Sequence, residues 1–373
     1  MSSKQHEYYE KRLLDLMDKM PPYIIEYLDS RLDYRSSLTL FNYARDYQEF
    51  LNWLISEGIS DAKKIKDVSV DTLANLSLQE AQAFFKTMLR RKYLVSKKSE
   101  EYKQVQEKTV NRMKSALRSL FKYLTVEAEA ENHEPYFHRN VMQKIPVHKV
   151  VESRSERAAN MTSKIFVDNA DADFLHYVQK EYELTLTKGQ TRYFKRDKER
   201  DFAILSLFLG SGIRLNELSN LKLGDVDFTQ RLIRVIRKGN KKDSVTVIPE
   251  ALEDLEAYLE IRNERYNADS DPNAYVFITK GKNGYSPLSN RAIQKIIAKY
   301  TESYDKRMSP HKLRHTYATN LAEQTGDIPL VMTQLGHSSP ETSLLYINTS
   351  LEKAKKAAEE LGRKRKKRPR HFE

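Results

Sequence analysis

The regular spacing of apolar residues disappears between residues 127 and 164, and this break divides the chain in two. Residues 21–126 carry apolar side chains at helical spacing, whereas helical and β-rich segments alternate from residue 165 onward. A chain of 373 residues is long enough for two domains with separate cores. The pattern predicts an N-terminal extension over 1–20, a helical domain over 21–126, a linker over 127–164, a mixed domain over 165–355 and a terminal segment over 356–373.

An amphipathic helix is predicted near the end of the helical domain, from about Lys108 to Leu124. Its apolar face comprises Val110, Met113, Leu117, Leu120, Phe121 and Leu124. The opposite face carries the cations Lys108, Arg112, Arg118 and Lys122. A cationic helix face can contact DNA phosphates, and we expect these four side chains to do so. A helix surface that is only solvated is the alternative interpretation.

The mixed domain is expected to hold a small β-sheet among helices. Segments 232–237 and 244–248 are β-rich and flank the turn sequence KGNKKD, which predicts a hairpin, and a third strand is predicted at 275–279. Helices are predicted over 289–304, 310–325 and 328–335, and around Tyr346. The fold class is therefore mostly α with a small β-sheet, a helical domain followed by an α+β domain.

Composition limits the partners and the chemistry. The formal charge of +12 and a pI near 9.4 favour a polyanionic partner, most often nucleic acid. The chain has no cysteine, which excludes disulfides, thiolate metal sites and a cysteine nucleophile. No apolar run approaches the ~18 residues of a membrane span, and the polar N-terminus lacks the apolar core of a signal peptide. We expect a cytoplasmic protein without membrane contact.

The mixed domain also holds side chains suited to attack on a phosphodiester without a metal cofactor. They are Arg214, Lys238, His311, Arg314, His337 and Tyr346. Arginine can donate two parallel hydrogen bonds to phosphate oxygens, and Glu217, one turn after Arg214, is placed to hold that guanidinium. Lys238 lies at the hairpin tip, where a partly desolvated ammonium can serve as a general acid. Tyr346 becomes a nucleophile only if its proton is removed and nearby cations neutralise the phosphate.

The histidines allow a second interpretation. His311 and His315 are spaced i, i+4, which suits metal ligands, and His337 would complete a three-histidine zinc site. Arg314 lies between the first two, and a cation there would repel the metal. His311 and Arg314 are instead spaced i, i+3, so both project from one helix face. We expect no metal, and we expect His315 to pack or hydrogen-bond among the helices.

These segments resemble the tyrosine recombinase (phage-integrase-like) family. The family pattern has an arginine in a T/S-G-x-R-x-x-E-L corner and a lysine in a β-hairpin, followed by H-x-L-R-H-T, L-G-H-S and a tyrosine nine residues later. The chain carries these motifs in order, as SGIRLNEL, KGNK, HKLRHT and LGHS, and then Tyr346. The helical domain resembles the core-binding domain of that family. The segments MPPYIIEY, SLTLFNY and FLNWL look most like its single-recombinase subtype, which resolves chromosome dimers.

The resemblance implies a mechanism and assigns roles. Tyr346 would attack the scissile phosphate, forming a 3′-phosphotyrosyl link and releasing a 5′-hydroxyl. Arg214 and Arg314 would neutralise the transition state, Lys238 would protonate the 5′-oxygen, His311 would be an acid–base helper and His337 a phosphate donor. The covalent link would conserve the bond energy, so neither ATP nor a metal would be needed.

The resemblance also implies partners. Double-stranded DNA with a recombination site would lie in a C-shaped clamp formed by the two domains. Four copies would assemble on two sites, and residues 351–361 are the candidate helix that either reaches a neighbour or packs on its own chain. The alternatives are an integrase or excisionase of a mobile element, a type IB-like topoisomerase, and a DNA-binding regulator with a degenerate catalytic domain. The need for a DNA translocase or other accessory factor is open, and the basic tail 363–370 is assigned either to DNA phosphates or to a solubilising end.

Overall fold

The structure, a computed structural model, describes residues 3–94, 100–147, 156, 164–237, 241–281, 284–337, 339–347 and 358–363. The chain divides into two units, residues 1–150 and 151–373, and each has its own apolar core. In the described residues helices predominate and the strands form small antiparallel sheets, so the predicted fold class is confirmed. In the same residues, no helix is long and apolar enough to cross a membrane. The basic tail and most of the segment 351–361 lie outside the described residues.

Serine caps mark where helices of the first unit begin. Ser36 accepts a hydrogen bond from the backbone nitrogen of Thr39, and Ser77 and Glu80 form a reciprocal capping box. The helices are α1 (Ser3–Met17), α2 (Pro22–Asp29), α3 (Ser37–Ser56), α4 (Val70–Asn75), α5 (Leu78–Arg90) and α6 (Glu107–Lys122). Strands β1 (Lys92–Leu94) and β2 (Tyr102–Gln104) form a hairpin between α5 and α6.

Helix α6 buries its apolar face in the core of the first unit, as its periodicity predicts. Val110, Leu117 and Leu120 are almost completely buried. The Tyr47 hydroxyl of α3 donates a hydrogen bond to the Ala116 carbonyl at 2.9 Å, which joins the two helices inside the core. The side of α6 that faces solvent is consequently the predicted cationic face.

The first unit extends beyond residue 126, where the sequence analysis begins the linker. Buried side chains of this stretch belong to its core and are Ala128, Phe137, Val141, Met142 and Ile145. A 3₁₀ turn over Val141–Lys144 packs against α5 and α6. Phe137, Val141 and Ile145 recur every four residues, but this run is short and Pro135 and Pro146 bound it, so the sequence does not predict a packed helix there. The structure therefore places the start of the predicted linker in the first unit.

The second unit begins with α7 (Ala170–Lys180), α8 (Lys188–Ser211) and α9 (Leu215–Ser219). Strands β3 (Val226–Asp227), β4 (Leu232–Arg237) and β5 (Lys241–Thr246) form one antiparallel sheet, and β6 (Ile278–Gly281) pairs with β7 (Gly284–Pro287). Helices α10 (Pro249–Tyr266), α11 (Asn290–Tyr304), α12 (Pro310–Thr325), α13 (Ile328–Leu335) and α14 (Pro340–Ile347) complete it.

The predicted hairpin is confirmed, but its second strand begins at Lys241, three residues earlier than predicted, and the third strand also differs from its prediction. Strands β4 and β5 pair in a register that sets Arg237 opposite Lys241. The segment predicted as a strand at 275–279 contributes Val276 and Phe277 to the core, and regular pairing begins only at Ile278. A short apolar run bounded by turn residues looks the same whether it is paired or only buried, which explains the shifted boundary.

A glycine corner after α8 turns the chain toward Arg214. Gly212 has a φ of +62°, and a Cβ at this position would lie 2.5 Å from the Tyr317 ring, so a larger residue does not fit. A Cβ on Gly210 would lie 2.6 Å from the Cβ of Ala251 on α10. These close approaches pack the end of α8 against α10 and α12, and Arg214 then becomes the N-cap of α9.

A buried carboxylate should make the stability of the first unit depend on pH. The Asp46 side chain is 4% exposed and pairs with Arg112. Burial raises its pKa from 3.8 to about 6 in spite of that arginine. Because the folded-state pKa is the higher one, the contribution to stability is full below the unfolded pKa and is lost as the pH rises through about 6.

Asp46→Asn should therefore stabilise the protein relative to the wild type more at pH 8 than at pH 4, and the two differences in the free energy of unfolding should be about 2 kcal/mol apart. Trp53 is the one tryptophan of the chain and is buried in this core, so its fluorescence in urea reports the unfolding of the first unit. Glu49→Gln on the same helix is the control, because that side chain is 38% exposed and should matter little. A difference between Asp46→Asn and the wild type that does not vary with pH would contradict the prediction.

Candidate active site

The C-terminal end of α13 gathers the arginines of the second unit. The Leu335 carbonyl accepts hydrogen bonds from Arg237, at 2.9 Å, and from Arg314. The Gly336 carbonyl accepts one from Arg214 at 2.8 Å. The last carbonyls of a helix lack partners within the helix and carry the negative end of its dipole, so they attract cations. One helix end thus holds three guanidinium groups that come from three different segments.

Glu217 supplies a negative charge to two of these arginines. Its side chain is only 4% exposed and accepts hydrogen bonds from the Arg214 backbone nitrogen and Nη1, both at 2.9 Å. The same carboxylate lies 3.4 Å from Nη1 of Arg237. The prediction that Glu217 holds Arg214 is confirmed. A buried carboxylate between two guanidinium groups reduces their mutual repulsion and fixes their directions.

Arg214 and Arg314 differ in exposure. The Arg214 side chain is 37% exposed, whereas Arg314 is buried and donates to the Gly212 carbonyl as well as to α13. Burial, followed by the nearby charge of Arg214, lowers the pKa of Arg314 to about 10. Arg314 therefore stays a cation at neutral pH, and Arg214 is the side chain more accessible to a substrate.

Tyr346 is buried in the small core that α12, α13 and α14 share. Its hydroxyl oxygen lies 2.7 Å from Nδ1 of His315, and its ring stacks on that of His337 with centroids 6.2 Å apart. Burial raises the pKa of Tyr346 to about 12, although Arg314 and Arg214 act in the opposite direction. The phenol is therefore protonated at neutral pH and feels the field of both arginines.

The three histidines near Tyr346 are neutral at neutral pH. Burial, reinforced by neighbouring charges, lowers the pKa of His315 to about 3 and that of His337 to about 4. Desolvation and Arg314 also lower the pKa of His311, whose ring centroid lies 4.1 Å from that of His315. His337 Nδ1 is 2.9 Å from the hydroxyl of the buried Ser343 on α14.

The structure thus brings five of the six predicted catalytic residues to one region, around α12, the end of α13 and α14. Lys238 lies outside the described residues, immediately after Arg237 in the chain. Among the described residues, no group of three His, Asp or Glu side chains could hold a metal ion.

The predicted DNA contacts on α6 already have partners inside the first unit. Arg112 pairs with Asp46 and donates to the Asn42 carbonyl. Arg118 donates to the carbonyls of Met142 and Gln143, at 3.2 and 3.1 Å. Lys122 lies 2.9 Å from Glu127, whereas Lys108 is an exposed side chain in the first turn of α6. The assignment of these four residues to DNA stays a prediction.

Arg237 and Gln334 are site residues that the sequence analysis missed. The Arg237 side chain is 8% exposed and bonds Asp243, Glu217 and α13. The position of Arg237 in the strand indicates this burial. It lies on the same face of β4 as Ile233 and Val235, which are buried. Gln334 had no comparable signal. Its amide joins α13 to the Ser211 and Thr246 carbonyls, which are distant in sequence.

A buried tyrosine lies beside neutral histidines and clustered arginines, an arrangement suited to chemistry on a phosphodiester. The phage integrase family matches residues 178–353, which include every predicted catalytic residue. Tyrosine recombinase XerS of Lactococcus lactis subsp. cremoris (strain MG1363) is 41% identical over 343 residues, 92% of this chain and 96% of that protein. XerS of Streptococcus equi subsp. zooepidemicus (strain MGCS10565) is 42% identical over 347 residues, with the same coverage.

The chain therefore belongs to the tyrosine recombinase (phage integrase) family and is an enzyme that breaks and rejoins DNA. The predicted family and its XerS-like subtype are confirmed. Solved structures agree on the fold. The XerH site-specific recombinase, bound to a palindromic difH substrate, has a TM-score of 0.62 at 20% identity, over 87% of this chain and 80% of that one. A λ integrase fragment, a dimer bound to a COC′ core site, has a TM-score of 0.56 at 14% identity, over 88% and 95%.

Arg237 should be needed both for stability and for catalysis. Arg237→Met leaves Glu217 and Asp243 without this cation and removes its hydrogen bonds to the Gln334 and Leu335 carbonyls, of which Leu335 keeps Arg314. The free energy of unfolding should therefore fall by about 3 kcal/mol. If Arg214 and Arg314 bind the scissile phosphate, strand cleavage should slow at least about tenfold, because Arg237 shares Glu217 and the Leu335 carbonyl with them and its loss disturbs their positions. Urea unfolding followed by circular dichroism and a single-turnover cleavage assay measure the two effects.

Arg234→Met on the same strand is the matched control. The Arg234 side chain is 57% exposed and pairs with Asp227 at the surface, so this change should alter stability by less than about 1 kcal/mol. Equal stability of the Arg237→Met and Arg234→Met proteins would refute the structural role of Arg237.

Proposed function

We propose that Tyr346 is the nucleophile of the recombinase. The observation that carries the proposal is its position: a protonated phenol in the field of Arg214 and Arg314, both of which act to lower its pKa. Attack on a phosphodiester forms the bond between the phenol oxygen and phosphorus and breaks the bond between phosphorus and the 5′-oxygen. The phenol gives up its proton as the new bond forms, with His311 as the acid–base helper that accepts it, and the 5′-oxygen takes a proton from Lys238. The products are a 3′-phosphotyrosyl link and a 5′-hydroxyl, and reversal by a second 5′-hydroxyl rejoins the strand.

The remaining residues fit the other requirements of this transfer. Arg214 and Arg314 bind non-bridging oxygens and stabilise the charge that develops in the transition state. Their fixed partners on α13 and Glu217 mean that they need not reorganise when the substrate arrives. Lys238 protonates the 5′-oxygen, His311 assists proton transfer near Tyr346, and His337 donates to the phosphate.

The substrate is double-stranded DNA with a specific recombination site, bound in the cytoplasm by four copies of the chain on two sites. The net charge of +12 supports a polyanionic partner. Relatives of similar fold, such as XerH and λ integrase, are seen bound to their own sites. The biological process is the resolution of chromosome dimers by site-specific recombination. Sequence identity of 41–42% to XerS proteins over 92% of the chain supports this process.

Tyr346→Phe should abolish the covalent adduct with a nicked recombination site, and the wild type should form the adduct in EDTA. The phenylalanine keeps the ring packing but has no oxygen to attack phosphorus. Gel analysis of protein linked to end-labelled DNA measures the adduct.

Tyr317→Phe is the matched control, because burial raises the pKa of that tyrosine to about 12 as well. This protein should still form the adduct. An adduct formed by Tyr346→Phe would show that Tyr346 is not the nucleophile. Relaxation of a plasmid without any recombination site would instead favour a topoisomerase.

Lys108→Ala should weaken DNA binding for every sequence and should reduce the dependence of log K on log salt concentration by about one. Arg112→Ala should reduce it by less, because the buried Asp46 already compensates that charge. Binding titrations at several salt concentrations measure both slopes. If Lys108→Ala leaves the slope unchanged, this face of α6 does not contact DNA.

A further inference from the structure

His315 is the histidine whose ring nitrogen reaches the hydroxyl of Tyr346. The motif roles go to His311 and His337, but Nδ1 of His315 lies 2.7 Å from the phenol oxygen. His337 stacks on the phenol ring, and its own Nδ1 lies 2.9 Å from Ser343. His311 contacts the edge of the His315 ring. The three histidines therefore have different relations to the same tyrosine.

The direction of this hydrogen bond follows from charge. The titratable groups that face His315 are His311 and Arg314 on its own helix, His337 after α13, and Tyr346 on α14. Burial and these neighbours lower the pKa of His315 to about 3, so the imidazole is neutral, and the phenol is protonated. A neutral imidazole has one donor and one acceptor nitrogen. Tyr346 therefore donates and Nδ1 accepts, with the ring proton on Nε2.

We propose that His315 is a positioning residue for the nucleophile: its Nδ1 accepts the hydrogen bond of the Tyr346 hydroxyl and thereby sets the direction of the phenol oxygen. The proposal rests on the proposed role of Tyr346. Helix α14 is short, and Tyr346 lies one residue before its end. His315, by contrast, projects from α12, which is twice as long as α14 and packs on α8. The bond to His315 therefore ties the oxygen of a short helix to a firmly packed one.

In this proposal His315 takes no part in proton transfer. In the free protein, burial lowers the pKa of its imidazole and raises the pKa of the phenol, so the proton stays on the phenol oxygen and His315 is the acceptor. Its contribution is geometric, and geometry matters because a displacement of about 1 Å can slow a reaction about 100-fold.

Two substitutions separate the hydrogen bond from proton transfer. His315→Asn places an amide oxygen close to where Nδ1 lies, so it keeps an acceptor that does not titrate. His315→Ala removes the acceptor. In single-turnover cleavage of a nicked recombination site, we expect His315→Asn within about threefold of the wild type and His315→Ala slower by about 10- to 100-fold. The pH–rate profiles of the wild type and His315→Asn should have the same shape.

Three outcomes overturn the proposal. If both variants are slow at neutral pH and recover as the pH rises toward the pKa of the phenol, His315 is a base. If His315→Ala is as fast as the wild type, the hydrogen bond does not position the nucleophile. If His315→Ala is faster, the bond restrains Tyr346 instead.

Two further measurements separate these outcomes from misfolding of the variant and from an incorrect assignment of the nucleophile. Urea unfolding and affinity for the uncut site test whether His315→Ala is folded, and His315→Leu, which fills more of the ring volume, replaces it if it is not. The same slow cleavage is expected of His315→Leu, and wild-type rates would again contradict the proposal. Tyr346→Phe on the same substrate tests the nucleophile separately, because a persistent adduct there would overturn the proposed function and not the hydrogen bond.

Discussion

The arrangement of the second unit depends on the free carbonyls at the end of α13. Burying these carbonyls without hydrogen-bond donors would cost free energy, and so would burying the guanidinium groups without acceptors. The hydrogen bonds between the carbonyls and the arginines satisfy both. Arg237, Arg314 and Arg214 come from β4, α12 and the corner after α8, so three segments are fixed relative to one another by one helix end.

Two further contacts make this helix end rigid. The Gln334 side chain bonds both the Thr246 backbone of β5 and the Ser211 carbonyl at the end of α8. Gly336 has a φ of +57°, and a Cβ there would lie 2.5 Å from Cζ of Arg237, so the guanidinium occupies the space that a side chain would need. The immediate surroundings of Gly336 therefore require a glycine at this position of the L-G-H-S motif. It lets the arginine reach the carbonyls and turns the chain so that His337 faces Tyr346.

Local patterns predicted most of the fold and most of the site. Helix α12 begins with Pro310 after the N-cap Ser309 and ends at Gly326, as its sequence indicates. Arg214 and Glu217, one turn apart, were paired correctly because both belong to one short segment. The contact of Arg237 with Gln334 spans 97 positions and that of His315 with Tyr346 spans 31. Pairs of this kind depend on how helices pack, which residue periodicity does not encode.

The histidines around Tyr346 leave the positive charge of the site to arginine. The pKa of His315 is about 3, that of His337 about 4 and that of Arg314 about 10. Between these limits, neither the two histidines nor the arginine changes its charge. The charge that these three groups present in the free protein is consequently constant across the physiological range. In the proposed mechanism, a pH-dependent rate would therefore have its origin in other groups than these three.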